Sequence, residues 1–236
     1  MRRMWESVAG VGLLIVLMVA CAAPKPLEGG PKDEVGPIPL YVRPANETVN
    51  FRGKTVVFSF DEFLKPVGAD AVLITPVPPT PPDIYAQGKR VIVRFQDDLL
   101  PNTTYVLTLT KGIKDFNEGN ALAAPLVYAF STGPKLDSCG VAGSIANAFD
   151  LRPASKLTAV LVPADSIVNG DLRGKRALYA VPTDDQGGFR FDYIRPGRYA
   201  LFAFSDQDKD FSYNLANERL ATADADTLTL DSVRFF

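Results

Sequence analysis

Short apolar runs separated by turn residues fill the chain from residue 40 onward, and none repeats its apolar residues at the spacing of a helix. In several runs alternate residues are apolar, which is typical of a strand with one buried face. The pattern predicts seven strands in the first half, at residues 40–43, 55–60, 71–74, 84–87, 90–95, 104–110 and 126–131. In the second half it predicts strands that begin near residue 139 and continue at 157–162, 177–181, 188–193, 198–204 and 227–235.

Three runs of the first half alternate most clearly, so their apolar side chains should face a core. These are Val56, Phe58 and Phe60, then Val91, Val93 and Phe95, then Tyr105, Leu107 and Leu109. Residues 188–203 alternate in the same way on both sides of Pro196-Gly197, which predicts a β-hairpin with one buried face.

Gly133-Pro134 interrupts the strand pattern and marks a domain boundary. A chain of 236 residues has room for two cores. We therefore predict an all-β fold of two tandem β-sandwich domains, at residues 40–133 and 138–236. For the proline-rich segment 76–82 two interpretations are open, a stiff connection that blocks sheet-edge aggregation and a rigid binding edge.

The first 39 residues follow a different pattern. Arg2 and Arg3 precede an apolar stretch at residues 8–19, and Cys21 follows it. A basic start and a short apolar run predict a signal peptide over residues 1–20, because the run is too short for a stable transmembrane helix. Residues 21–39 are rich in proline and glycine, which predicts a flexible tether.

The sequence L-M-V-A-C that ends at Cys21 resembles a bacterial lipobox. The resemblance implies that the mature chain begins at Cys21 and carries several acyl chains, such as palmitate, which would anchor it stably to a membrane. Ala22 behind the cysteine is similar to lipoproteins that are sent to the outer membrane. We therefore expect a lipid-anchored outer-membrane protein, on either the periplasmic or the cell-surface face.

Separated motifs of the first predicted domain resemble the Ig-like domain of S-layer and other bacterial surface proteins. They are the run L-P-N-T-T-Y that ends at Tyr105, the turn between Asp115 and Asn120, and the run Y-A-F-S-T that ends at Thr132. The resemblance implies an Ig-like sandwich in which Tyr105 forms a tyrosine corner with nearby backbone. Asp115 and Asn120 are expected to bond the backbone of their own turn rather than a ligand.

The second predicted domain carries a run from Gly187 to Leu201, G-G-F-R-F-D-Y-I-R-P-G-R-Y-A-L. It resembles the hairpin of carboxypeptidase-regulatory-like domains. The resemblance implies a transthyretin-type β-sandwich, a module that has no catalytic residues of its own.

Composition narrows the chemistry. The chain has no histidine, which excludes Ser-His-Asp and Cys-His catalysis and zinc sites that use histidine. Its formal charge of −2 gives no electrostatic reason to expect a nucleic-acid partner. The cysteines are Cys21 and Cys139, and the use of Cys21 as an anchor leaves Cys139 as a lone, buried thiol. No catalytic residue is predicted.

Asp206, Asp208 and Asp210 place carboxylates on alternate residues, as an EF-hand calcium loop does. The segment departs from that pattern, because Phe211 occupies the position that needs glycine and Glu218 comes one residue late. Two interpretations remain open, a solvated acidic turn, which these departures favour, and a calcium site. No other cofactor is predicted.

Three functions are compatible with these features. The favoured one is a non-enzymatic cell-envelope lipoprotein that serves as a binding or spacer module, with the membrane and an envelope protein or carbohydrate as partners. The second is a structural or assembly subunit that pairs through a sheet edge, for which the apolar run 227–236 is the candidate strand. The third is an Asp/Glu-dependent hydrolase, which needs two carboxyl groups about 5 to 10 Å apart, and no spacing in the sequence argues for it.

Overall fold

A computed structural model of the chain describes residues 30–167, 171–214, 216–223, 227–231 and 233–235. The predicted signal peptide and Cys21 lie outside the described residues. Within this part of the chain the structure is all-β, and none of its helices is long and apolar enough to cross a membrane. Residues Glu34–Phe236 form one compact unit.

Seven strands build the first sandwich, and each lies within two residues of its predicted bounds. Their bounds are β1 (Pro39–Arg43), β2 (Thr55–Phe60), β3 (Val72–Thr75), β4 (Asp83–Gln87), β5 (Arg90–Arg94), β6 (Thr104–Leu109) and β7 (Leu126–Ser131). One sheet has the order β1-β2-β5-β4 and the other the order β3-β6-β7, with antiparallel pairing throughout.

The core of the first sandwich is aromatic at its centre. All nine side chains of the three alternating runs are buried there, which confirms the predicted face of each strand. The Tyr105 and Phe130 rings stack with centroids 5.5 Å apart, and the Phe58 and Tyr128 rings meet edge to face at 5.3 Å. Such offset and edge-on arrangements add to the gain from burying the rings.

Eight further strands, counted over the described residues, build the second sandwich. They are β8 (Cys139–Ser144), β9 (Thr158–Pro163), β10 (Tyr179–Pro182), β11 (Gly188–Ile194), β12 (Gly197–Phe204), β13 (Leu220–Thr222), β14 (Leu228–Leu230) and β15 (Val233–Phe235). One sheet has the order β10-β9-β12-β13, with β14 also paired to β12, and the other has the order β11-β8-β15. Cys139 is a buried free thiol at the start of β8.

The predicted hairpin at residues 188–203 is wrong, because its two strands belong to different sheets. β11 pairs with β8, whereas β12 pairs with β9. The pairing of β11 is irregular between Phe191 and Ile194, where Tyr193 has a φ of 59°. Ile194 still pairs with β8, and the chain crosses to the other sheet between Ile194 and Gly197. The alternation is real, but it reports only that both strands face one core, which they do from opposite sides.

The last predicted strand, residues 227–235, is divided in the same manner. Leu228–Leu230 pairs with β12, and Val233–Phe235 pairs in parallel with β8. Both halves of this apolar run are therefore used inside the second sandwich. β13 was not predicted, because it is three residues long and lacks a buried side chain.

The segment predicted as a tether through residue 39 joins the first sandwich earlier than expected. Pro39 already belongs to β1, and the Ile38 N–H donates to the Asp61 carboxylate at 2.8 Å. A Cβ atom on Gly36 would clash with the Ala121 carbonyl oxygen, so only glycine fits at this close approach. The tether therefore ends before Gly36.

The proline-rich segment 76–82 contacts the second sandwich. The Val77 N–H donates to the Leu178 carbonyl at 2.7 Å, and the Val77 side chain packs in a cluster that includes Phe202 and Phe204. The Arg176 guanidinium donates to two carbonyls of the segment, those of Pro78 at 2.8 Å and Pro79 at 2.6 Å. This surface of the segment is thus occupied by the chain's own second domain.

A second contact fixes the link between the sandwiches. The Thr104 N–H donates to the Asp137 carboxylate at 2.9 Å, and the Asp137 N–H donates to the Thr104 hydroxyl at 2.7 Å. The reciprocal pair ties the residues that follow Gly133-Pro134 to the start of β6. Together with Val77, it restrains both sides of the domain boundary.

Val77→Ala is expected to lower the free energy of unfolding by roughly 2 kcal/mol, because it removes two buried methyl groups from the joint between the sandwiches. Urea denaturation followed by circular dichroism measures the change. Val127→Ala is the matched control, since Val127 is exposed on β7 and its loss should cost under about 0.5 kcal/mol. Equal losses in the two variants would contradict the role given to Val77.

Candidate functional site

Tyr105 lies at the start of β6 with its ring buried in the first core. The Leu100 N–H donates to the Tyr105 hydroxyl at 2.9 Å, which is the kind of contact that a tyrosine corner makes. Burial raises the pKa of this hydroxyl, although the Leu100 N–H and the charge of Arg195 oppose part of the shift. The group is therefore a neutral structural acceptor near neutral pH.

Asp115 organises the loop between β6 and β7. It is buried, and the backbone N–H groups of Glu118, Gly119 and Asn120 donate to its carboxylate at 2.8, 2.9 and 2.6 Å. Burial acts to raise the pKa of Asp115, but the three backbone donors outweigh it and the pKa is lowered overall. The carboxylate is thus used to hold the loop.

Asn120 joins this loop to the start of the first domain. Its backbone carbonyl accepts the Asp115 N–H at 3.0 Å, and its side-chain amide donates to the Val35 carbonyl at 3.2 Å. The Asp115 carboxylate thus bonds the backbone of its own turn, whereas the Asn120 side-chain amide donates to Val35, outside that turn.

The acidic loop begins directly after β12. Carboxylate oxygens of Asp206, Asp208 and Asp210 all lie within 4.8 Å of one another. Asp206 Oδ2 accepts the Phe211 N–H at 3.3 Å, whereas Asp206 Oδ1 is buried without a hydrogen-bond partner. Burial raises the pKa of Asp206, and the negative charges of Asp210 and Asp208 add to the rise.

Two other carboxylates of this loop accept hydrogen bonds from its own backbone. Asp210 accepts the Ser212 N–H at 2.7 Å, and the buried Glu218 carboxylate accepts the N–H groups of Gln207 at 3.2 Å and Asn214 at 3.0 Å. Glu218, the residue that would be displaced by one position in a calcium loop, thus supports the fold of the loop. The calcium site at the three aspartates stays a prediction.

An exposed aromatic pair was missed by the sequence analysis. Phe63 and Phe116 are 61% and 60% exposed and lie next to each other at one end of the first sandwich. Each is a single aromatic residue among charged neighbours, in D-E-F-L-K and K-D-F-N-E. That composition is a usable signal, because an isolated loop phenylalanine between charges has no strand pattern that would bury it.

The lowered pKa of Asp115 predicts a pH-dependent contribution to stability. A carboxyl group whose pKa is lowered in the folded state stabilises the fold at pH values above its unfolded-state pKa of about 3.9. This contribution is lost as the pH falls through the folded-state pKa. Asp115→Asn should therefore lower Tm at pH 7, and its difference from the wild type should shrink in acid. Thermal melts between pH 7 and pH 2 measure this, with Glu118→Gln as a charge-matched control in the same loop. A difference that does not change with pH would contradict the role of the charge.

The calcium interpretation predicts that millimolar Ca²⁺ raises Tm by preferential binding to the folded chain. Asp208→Asn should abolish the rise, and Asp192→Asn, which removes a carboxylate from β11, should retain it. Thermal melts with calcium and with a chelator measure both. A Tm that calcium leaves unchanged in the wild type assigns the loop as a solvated acidic turn.

Comparisons with known proteins agree with the first sandwich. Residues 33–132 match the family model of the bacterial Ig-like domain. A search of curated proteins gives no match.

Several solved structures resemble the chain distantly. The N-terminal part of the S-layer protein SbsC is 10% identical with a TM-score of 0.28, and the match covers 81% of this chain and 45% of that one. An L,D-transpeptidase from Mycobacterium smegmatis is 14% identical with a TM-score of 0.29, covering 71% and 76%. BcpA, the major pilin subunit of Bacillus cereus, is 8% identical with a TM-score of 0.24, covering 83% and 67%.

The chain therefore spans less than half the length of the SbsC fragment. At these TM-scores the likenesses carry no conclusion about function, and the assignment rests on the family model and on the two sheets that pack around one aromatic core. Residues 33–132 are a bacterial Ig-like domain.

Proposed function

We propose that the chain is a non-enzymatic lipoprotein of the cell envelope, attached to the outer membrane by acyl chains on Cys21. Its two sandwiches serve as a spacer that holds a binding surface at a set position relative to the membrane. The partners are the membrane and an envelope protein or carbohydrate.

The observation that supports a spacer best is the joint between the sandwiches. Domains connected only by a linker move independently by default. Here the Val77 side chain lies in a buried cluster with residues of β9 and β12, and the Arg176 guanidinium donates to the carbonyls of Pro78 and Pro79. Contacts of this kind restrain the two sandwiches, so that fixing the position of one domain also fixes the position of the other.

The chemistry of the polar residues supports a non-enzymatic role. The hydroxyl and carboxylate singled out in the first domain, those of Tyr105 and Asp115, accept backbone N–H groups. The pKa directions fit this use, since Tyr105 is held neutral and Asp115 is held charged.

The C-terminal run favours the spacer over assembly through that strand. β14 and β15 each pair with a strand of the second sandwich, so the backbone of Leu228–Leu230 and Val233–Phe235 is used within this domain.

The lipoprotein assignment predicts that Cys21→Ser abolishes membrane attachment, because the thioether to the lipid needs the sulfur of Cys21. Intact mass and membrane fractionation of the expressed protein measure this: the wild type should carry acyl chains and sediment with outer membrane, and the variant should do neither. Cys139→Ser is the matched control and should sediment like the wild type, since Cys139 is buried in the second core. Wild-type protein that is unlipidated and remains in the cytoplasm would overturn the proposed function.

A further inference from the structure

The exposed phenylalanines Phe63 and Phe116, here called the aromatic tip, come from two loops that are joined by backbone contacts. Phe63 follows β2, and Phe116 lies between β6 and β7. The Phe116 N–H donates to the Phe63 carbonyl at 2.8 Å, and Leu64 and Asp115 form an antiparallel bridge beside them. The two rings therefore stay together at the surface.

The backbone under the aromatic tip is held firmly. Leu64 is buried in the first core and its N–H donates to the Gly88 carbonyl at 3.0 Å. The Asp115 carboxylate binds three successive N–H groups of the loop that carries Phe116. Both rings thus project from anchored loops, so their exposure is a property of the fold.

A cation and an open hollow complete the aromatic tip. Lys89 Nζ lies 5.4 Å from the centroid of the Phe63 ring and also donates to the Asp61 carbonyl. The two rings, Lys89, Glu62 and Asn117 line a hollow of about 390 Å³. Apolar rings beside a lysine whose stem can follow them are typical of groups at a membrane interface, where the ring enters the acyl boundary and the ammonium stays at the headgroups.

The start of the compact unit lies at the same end of the domain. Val35 is held by the Asn120 side chain and Ile38 by Asp61, and both have exposed side chains. Val35 follows Cys21 by fourteen residues. Fourteen residues span at most about 50 Å even when fully extended, so a lipid on Cys21 would tether this end of the domain to the bilayer.

The second sandwich contacts the other end of the first. β6 runs from Thr104, which is bonded to Asp137, to Leu109, after which the chain enters the loop of Phe116. The aromatic tip and the joint between the sandwiches are therefore separated by the length of β6. If the aromatic tip contacts a membrane, the second domain lies at the end of the first domain that faces away from that membrane.

We infer that the aromatic tip inserts into the interfacial layer of the phospholipid bilayer that carries the lipid anchor. The inference rests on the proposed function, because it needs the anchor on Cys21. It adds a second, non-covalent attachment that fixes which end of the first domain faces the membrane.

A single tryptophan tests this directly. The chain's tryptophan is Trp5, which lies in the predicted signal peptide and is lost when that peptide is cleaved. Phe116→Trp therefore gives the processed protein one tryptophan, at the aromatic tip. Phe149→Trp is the matched control, since Phe149 is 94% exposed and lies in the second domain. Each full-length variant is expressed with its signal peptide, purified in its processed form, and reconstituted in phosphatidylethanolamine and phosphatidylglycerol vesicles with brominated acyl chains. Thermal melts check that both variants fold.

The inference predicts that the tryptophan at position 116 emits further to the blue and is quenched by bromolipid several-fold more than the one at position 149. Equal quenching of the two variants, in protein whose mass shows the lipid on Cys21, overturns the inference and leaves the proposed function intact. Emission that shifts in native outer membranes but not in protein-free vesicles also overturns it, in favour of a protein or saccharide partner. A processed chain without lipid overturns the proposed function and the inference with it.

Discussion

The packing of Val77 against β9 and β12 of the second sandwich is the contact on which the arrangement of the whole compact unit depends. Val77 belongs by sequence to the Ig-like domain, yet its side chain is buried among Val160, Phe202 and Phe204 of the other. Prolines on both sides keep the segment extended, so its backbone presents carbonyls that Arg176 can reach. A segment that reads as a loop thereby holds two domains in a fixed relation.

The opposite end of the Ig-like domain is organised by a charge. Asp115 replaces three solvent hydrogen bonds of its loop with a single buried carboxylate, and the loop in turn carries Phe116 outward. Rigid loops that present apolar rings avoid the entropy loss that a flexible loop would suffer on binding. The Asp115 side chain thus acts through the backbone that it holds.

The sequence pattern was sufficient to predict the strands and their buried faces. It was not sufficient to predict which strands pair or which surfaces pack together. The alternation in Val56, Phe58 and Phe60 identifies a buried face because the period of a strand is fixed by covalent geometry. The same period cannot tell whether consecutive strands pair or face each other across a core, and residues 188–203 do the latter. The burial of Val77 was not predictable either, since it depends on a surface more than eighty residues further along the chain.

The burial of Val77 also bears on where this protein can be cut. The sequence pattern places the domain boundary at Gly133-Pro134. A second domain that starts there lacks Val77, so the apolar residues of β9 and β12 that Val77 covers would be exposed. The second sandwich produced alone would carry an open apolar notch at its surface, a feature that promotes self-association. The buried cluster that Val77 shares with β9 and β12 is thus one reason why residues Glu34–Phe236 form a single compact unit.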